Sequence, residues 1–227
     1  LRVISELFNR ARTESVWACI SVPPRHGKTE LLLHGIAWTL KHTPAREIGY
    51  VSYEASIARA KSRLARDYAG TAGVTLRDDA NSLHEWLTPA GGGLRSGGIG
   101  GPLTGHGFGI LVIDDPTKNR EEAESHLIRE KNWDWLTSTA LTRLEPTGSV
   151  LIVHTRWHED DLIGRCMREA EKYVESGGEE GHPWEYVNLQ AISDQTGDAL
   201  WPKRWPREVL LKRRKAIGEY DWASLFQ

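Results

Sequence analysis

Sulfur and charge bias are what this chain has least of. It carries two cysteines, one methionine and three phenylalanines, and 29 basic residues against 31 acidic ones leave a formal net charge of -2. Cys19 and Cys166 lie far apart and in no metal-ligand spacing, so they read as thiols of a reducing compartment and not as a disulfide framework or a zinc site. The near-neutral balance excludes a global basic footprint, and any nucleic-acid contact must be a local patch. No apolar run approaches the ~20 residues of a membrane span and no secretory leader pattern opens the chain. The expectation is a soluble, cytoplasmic protein with no membrane partner. One further absence is local. The stretch SVPPRHGKTE (21–30) closes like a phosphate-binding loop, yet Val22 stands where the opening glycine belongs, and two prolines and an arginine follow.

Apolar residues and tryptophan are well supplied. At 39% hydrophobic and 26% charged, the balance supports a substantial core in one large domain, with room for a small appendage. Segments 15–22, 47–53, 110–116, 149–157 and 184–192 read as strands. Segments 27–42, 54–68, 119–144 and 158–174 read as helices, the first with Leu31, Leu32, Ile36 and Leu40 at helical spacing. Strand and helix in this rhythm predict an α/β fold, a mainly parallel sheet with helices on both faces. Glycine-rich 83–109 predicts a hairpin, and 205–227 predicts two helices around Gly218. The division expected is a core over 1–192 and a tryptophan-rich helical subdomain or linker over 193–227. Trp184, Trp201, Trp205 and Trp222 read as anchors of a second small core. A base-stacking surface is the alternative, without the interleaved basic residues that would support it.

Val22 is a real departure, because glycine there permits a backbone angle that other residues resist. The rest of the loop keeps its chemistry. Gly27, Lys28 and Thr29 fall between a predicted strand and a predicted helix. In that setting helix N-terminal N–H groups converge on phosphate oxygens, a lysine neutralises the terminal phosphates and a threonine hydroxyl ligates Mg²⁺. Such a site needs an acid at the tip of a neighbouring apolar strand, and ILVIDD (110–115) supplies it. Asp114 is expected at the metal, and Asp115 to position or activate the attacking water, an N-cap being the alternative for Asp115. Consecutive strand residues face opposite ways, so the two carboxylates are not expected to share one role. HEDD (158–161) has the composition of a metal site, but acids in the first turn of a helix are accounted for by its dipole.

PPRHGKTE (23–30), VSYEASIARAKSRLARD (51–67), GGPLTGHG (100–107), LVIDDPTKNREEAES (111–125) and HTRWHEDDLIGR (154–165) occur in this order. The ensemble resembles the large subunits of bacteriophage terminases, above all the tailed-phage branch with a Pro-Pro-Arg-His-Gly-Lys loop, from about Trp17 to the last residue. The resemblance implies a three-layer P-loop NTPase fold of the ASCE type. It implies a motor that uses ATP and Mg²⁺ to move double-stranded DNA into a procapsid. The partners implied are the portal protein, the terminase small subunit and further copies in a homo-oligomeric ring. The place implied is the host cytoplasm and, transiently, the portal vertex. Family members also carry a C-terminal nuclease domain. GEYDWASLFQ (218–227) resembles the end of the ATPase part, so no DNA cleavage is expected.

Carried over residue by residue, the resemblance makes Arg25, His26, Gly27, Lys28, Thr29 and Glu30 the nucleotide contacts, with Arg25 an added cation beside the phosphates. Thr29 and Asp114 hold the metal, Asp115 orients water, and Thr155 senses the terminal phosphate and couples hydrolysis to movement. Arg156 is left between a phosphate and an interface role. A ring motor needs an arginine from the neighbouring subunit. Arg95 is the candidate, a solvated turn residue its alternative, and His106 stands where many relatives carry arginine. For DNA, Arg59, Lys61, Arg63 and Arg66, or the cluster KRRK (212–215), offer backbone contacts, though such clusters are more often solvated faces. The rival readings are a helicase-like or recombination ATPase, a phosphotransferase, and an assembly module with little turnover.

Overall fold

The structure, a computed structural model, describes residues 2–101, 103, 105 and 107–226; His106 lies outside the described residues. In chain order the elements are α1 (Arg2–Arg10), β1 (Trp17–Ser21), α2 (Lys28–His42), β2 (Glu47–Ser52), α3 (Ala55–Thr71), β3 (Glu85–Leu87), β4 (Gly93–Gly98) and β5 (Phe108–Asp114). They continue with α4 (Arg120–Glu124), α5 (His126–Trp135), β6 (Leu144–His154), α6 (Leu162–Glu175), β7 (Glu185–Asn188), α7 (Arg207–Ile217) and α8 (Glu219–Phe226). The seven strands form one sheet in the order β3-β4-β2-β5-β6-β1-β7. Every pairing is parallel except β3 with β4, the expected hairpin.

Three layers follow from the period-two alternation of the strands. Ile110 and Val112 of β5, with Ile20, Tyr50, Leu151 and Val153, face a core shared with Phe8 of α1, Leu32, Leu33, Ile36 and Leu40 of α2, and Ala58, Ala65 and Ala69 of α3. Leu111 and Ile113, with Cys19, Val51, Val150 and Ile152, face a second core with Trp135, Leu136, Leu162, Ile163 and Cys166. α1, which lies outside the elements read from the sequence, packs closely on α2. A Cβ built on Gly35 would stand 2.3 Å from the Phe8 ring, so only glycine fits that crossing. Cys19 and Cys166 are free and buried.

Three boundaries differ from the sequence expectation, each for a local reason. The helix expected over 119–144 is broken: Asn119 caps α4, Ser125 ends it and caps α5, and a π-turn at Leu136–Ala140 leads to a 3-10 turn at Leu141–Arg143. α6 starts at Leu162 because the Asp161 carboxylate accepts from the Gly164 N–H. β7 stops at Asn188, and Ala191 instead joins Leu210, Trp222 and Phe226 in a small third core beneath α7 and α8. Among the described residues no helix is long and apolar enough to cross a membrane.

Candidate nucleotide site

β6 lies between β1 and β5, so the tips of three adjacent parallel strands share the carboxyl edge of the sheet, where α/β folds place their ligands. Residues 22–27 connect β1 to α2 there. Gly27 caps the N-terminus of α2 in the left-handed region, at φ 82°, and Arg25 also adopts positive φ, 62°. Left-handed geometry in a non-glycine residue is costly and collects at functional loops. With Pro23 and Pro24 fixing the preceding backbone, the loop is preset despite Val22.

Lys28 is 9% exposed. Its ammonium donates to Thr155 Oγ1 at 2.7 Å and pairs with Asp115 Oδ2 at 2.9 Å. Thr155 Oγ1 in turn donates to the Val22 carbonyl at 3.1 Å, tying the loop to the tip of β6. Thr29 Oγ1 donates to Asp114 Oδ2 at 2.8 Å. Thus Lys28, Thr29, Asp114, Asp115 and Thr155, expected as a group, do come together. The sequence reading missed Tyr50, whose hydroxyl donates to the same Asp114 oxygen at 2.7 Å. A phenol within a predicted strand was the only sign, and its meaning depends on the β2–β5 register that sets Ser52 beside Asp114.

The two acids differ in environment, although both reach the loop, Asp114 at Thr29 and Asp115 at Lys28. Burial first, then the neighbouring Asp115 charge, lifts the Asp114 carboxyl from 3.8 to about 6. Asp114 Oδ1 is buried and has no hydrogen-bond partner among the described residues, a costly arrangement for a carboxylate. An oxygen set of Thr29 hydroxyl and Asp114 carboxylate, with one lone-pair site open, fits a hard divalent cation that brings its own water and phosphate ligands. Burial also disfavours the Asp115 charge, but the His154 hydrogen bond and the Lys28 charge outweigh it and bring Asp115 to about 2. Asp115 sits just past the strand at φ 48°. That turn lets its carboxylate reach Lys28, accept from the Thr155 N–H at 3.0 Å, and meet His154 Nδ1 at 3.3 Å.

The Asp114 value has a thermodynamic consequence. Its folded pKa exceeds the unfolded one, so the folded state binds the extra proton, and stability falls as pH rises from about 4 to about 6. With divalent ions chelated, the Tm of Asp114→Asn minus that of the parent should rise between pH 4.5 and pH 7.5 by on the order of 5 °C. Melts recorded across that range check it; a flat or falling difference contradicts the assignment.

The remaining expected residues are placed differently. Arg25 is exposed, while its carbonyl accepts the Trp205 indole N–H at 3.2 Å. His26 is fully buried, its Nδ1 2.9 Å from the Pro24 carbonyl and its ring 5.9 Å from that of Trp205. Burial, with the charges of Lys28, Arg213 and Arg204, holds this imidazole below the usual histidine range against the Pro24 contact. The Trp201 ring lies 3.6 Å from where a Gly27 Cβ would stand. The tryptophan-rich segment therefore covers the loop, a role the sequence gave no local sign of. Glu30 faces α3, accepting from the Tyr68 hydroxyl at 2.8 Å.

Arg95 lies away from this loop. It lies within β4, beside Gly49, and its guanidinium binds Glu47 and Glu85, each at 2.9 Å, with 14% of its side chain exposed. Glu47 opens β2, so this cluster sits toward the edge of the sheet opposite the loop. Two carboxylates already hold the group, and the structure presents neither a solvated turn residue nor a free guanidinium. Arg156 is likewise held in its own loop, by Asp161 at 2.7 Å and the Glu159 carbonyl at 3.0 Å. In HEDD, Asp161 caps α6 and Asp160 gathers Arg129, Arg165 and Arg168. Of the basic clusters, Arg59 and Arg63 are exposed on α3, whereas Arg213 lies over the Trp205 ring and Arg214 pairs with Glu219.

Comparison with known proteins agrees with this fold. The crystal structure of the HK97 bacteriophage large terminase is similar over 100% of this chain and 50% of its own, with TM-score 0.62 and 14% identity. This chain therefore spans half of that protein's length. The Thermus phage P74-26 large terminase ATPase domain is similar over 97% of this chain and 91% of its own, with TM-score 0.56 and 13% identity. The large terminase of the thermophilic bacteriophage D6E in complex with ADP is similar over 97% and 52%, with TM-score 0.51 and 7% identity. No curated protein matches the sequence. Residues 19–207 match the family model "Terminase large subunit, T4likevirus-type, N-terminal", and the chain accordingly belongs to the terminase large subunits, within their N-terminal part.

Proposed function

We propose that this domain hydrolyses Mg²⁺-bound ATP and couples hydrolysis to translocation of double-stranded DNA into a procapsid. The observation that carries the reading is the convergence of Lys28, Asp115 and Thr155 beside the Thr29–Asp114 pair. The ADP complex of the D6E relative supports a nucleotide as the ligand. Lys28 neutralises the terminal phosphates, the N-terminus of α2 cradles them, and Thr29 with Asp114 holds the metal. When bound, Mg²⁺ neutralises charge that builds up on the phosphates in the transition state. Asp115, the acid kept ionised by its neighbours, accepts a proton from the attacking water or orients it. Thr155 bridges Lys28 to the Val22 carbonyl, so a shift of the lysine toward phosphate is felt at the tip of β6.

The partners in this reading are duplex DNA, the portal protein, the small subunit and a ring of copies, and its place is the host cytoplasm and the portal vertex. The test is phosphate release from ATP over a wide range of protein concentration, with and without duplex DNA and with Mg²⁺ removed. A rate per subunit that climbs with concentration or DNA and vanishes without Mg²⁺ is expected. A rate indifferent to protein concentration and DNA contradicts the motor reading, and no hydrolysis at all contradicts the enzyme reading.

A further inference from the structure

His154 is the last residue of β6 and is fully buried. The register of β6 with β5 sets Val153 beside Asp114, which puts His154 next to Asp115. Its Nδ1 lies 3.3 Å from Asp115 Oδ1. Its Nε2 is 3.9 Å from Asp161 Oδ2 and has no hydrogen-bond partner among the described residues. The Asp161 carboxylate is already engaged: Oδ2 accepts from Arg156 Nε at 2.7 Å and Oδ1 from the Gly164 N–H at 2.9 Å. Nδ1 is therefore the ring nitrogen whose proton is directed at a carboxylate, that of Asp115.

Asp115 stands at positive φ at the end of its strand, and three groups fix its carboxylate. Lys28 holds Oδ2, while the Thr155 N–H and His154 hold Oδ1. Lys28 is the one that phosphate would draw away. Once it leaves, the backbone N–H and the imidazole are the groups left to keep the carboxylate aimed at the loop. A backbone N–H alone leaves rotation about the carboxylate's own bonds; a second donor on the same oxygen, from a ring that cannot move because it is packed on all sides, removes it.

We infer that His154 is a positioning residue for the water-orienting acid: its Nδ1–H holds Asp115 in its working orientation after Lys28 transfers to the nucleotide. This rests on the ATPase reading above and gives His154 a positioning role that the reading does not assign.

The experiment compares His154→Asn, His154→Gln and His154→Leu in the same domain, measuring kcat and KM for ATP and the affinity for ADP. The Asn amide nitrogen falls near the position of Nδ1, whereas that of Gln falls near Nε2. Leu fills the space and donates nothing. Expected is a fall in kcat of about 10- to 100-fold for Leu and Gln, in the range of other supporting-residue losses. KM and ADP affinity should stay within about twofold, and Asn should recover most of the rate. If Leu fails to fold, the Asn and Gln pair decides by itself. An unchanged kcat in Gln or Leu, or equal losses in Asn and Gln, overturns the inference while hydrolysis by the parent protein leaves the ATPase reading standing. Absence of hydrolysis in the parent overturns both.

Discussion

Lys28→Ala should lower ATP hydrolysis at least ~10³-fold, equivalent to roughly 4 kcal/mol of transition-state stabilisation. Without nucleotide the ammonium is not idle: it pairs with Asp115 and Thr155 in a nearly buried position. Phosphate must compete for it. The variant thus loses the cation that meets the developing charge and also leaves Asp115 without the ammonium 2.9 Å from its Oδ2. Lys28→Arg should not restore activity, because a planar guanidinium cannot occupy the single point between Thr155 Oγ1 and Asp115 Oδ2 that the ammonium fills. Phosphate release by the two variants, with a melt to confirm folding, checks this. Activity within tenfold of the parent in Lys28→Ala would contradict the placement of phosphate at this loop.

Asp115→Asn should separate binding from turnover. Asparagine tolerates the left-handed backbone at this position, and its amide oxygen can still accept from the Thr155 N–H and His154. Its nitrogen would then face Lys28, where donor meets donor, and the lysine loses its resting partner. Nucleotide affinity should therefore hold or tighten, while kcat falls by about 10²–10⁴, the usual share of a general base. Titration with ADP and single-turnover hydrolysis measure the two effects separately. Weakened ADP binding together with near-normal turnover would move the water-orienting role away from Asp115.

The strands and the loop were legible because their signals are local. ILVIDD is an apolar run with acids at its tip, and GKT stands before an amphipathic segment, so both reading and structure place Lys28, Thr29, Asp114 and Asp115 together. Tyr50 and His154 were hidden because their roles depend on strand register, which periodicity does not give: each is an ordinary strand residue until β2 and β6 are set on either side of β5. Trp201 and Trp205 were read as possible core anchors, and nothing near them in sequence says that they reach residues 25–27. The surroundings of Arg95 were hidden for a related reason. The glycine-rich hairpin was legible, but Glu47 and Glu85 become visible as partners of Arg95 only once β4 is set between β2 and β3. HEDD was resolved by its cap and its arginines, contacts that spacing along one helix does not contain.

β1 is flanked by β6 on one side and β7 on the other, and Trp205 bonds the Arg25 carbonyl across 180 residues of sequence. During synthesis, a ribosome that has made residues 1–140 has released the whole phosphate-binding motif, but none of the strands that will hold β1 in the sheet. Contacts of such long sequence separation form late and slowly. The motif therefore stays an unanchored segment, exposing apolar β1, until β6 has been made, and it is covered only when the tryptophan-bearing segment emerges to close over it. Nucleotide could act on this process only at its end, stabilising the finished domain without guiding the order in which it is assembled.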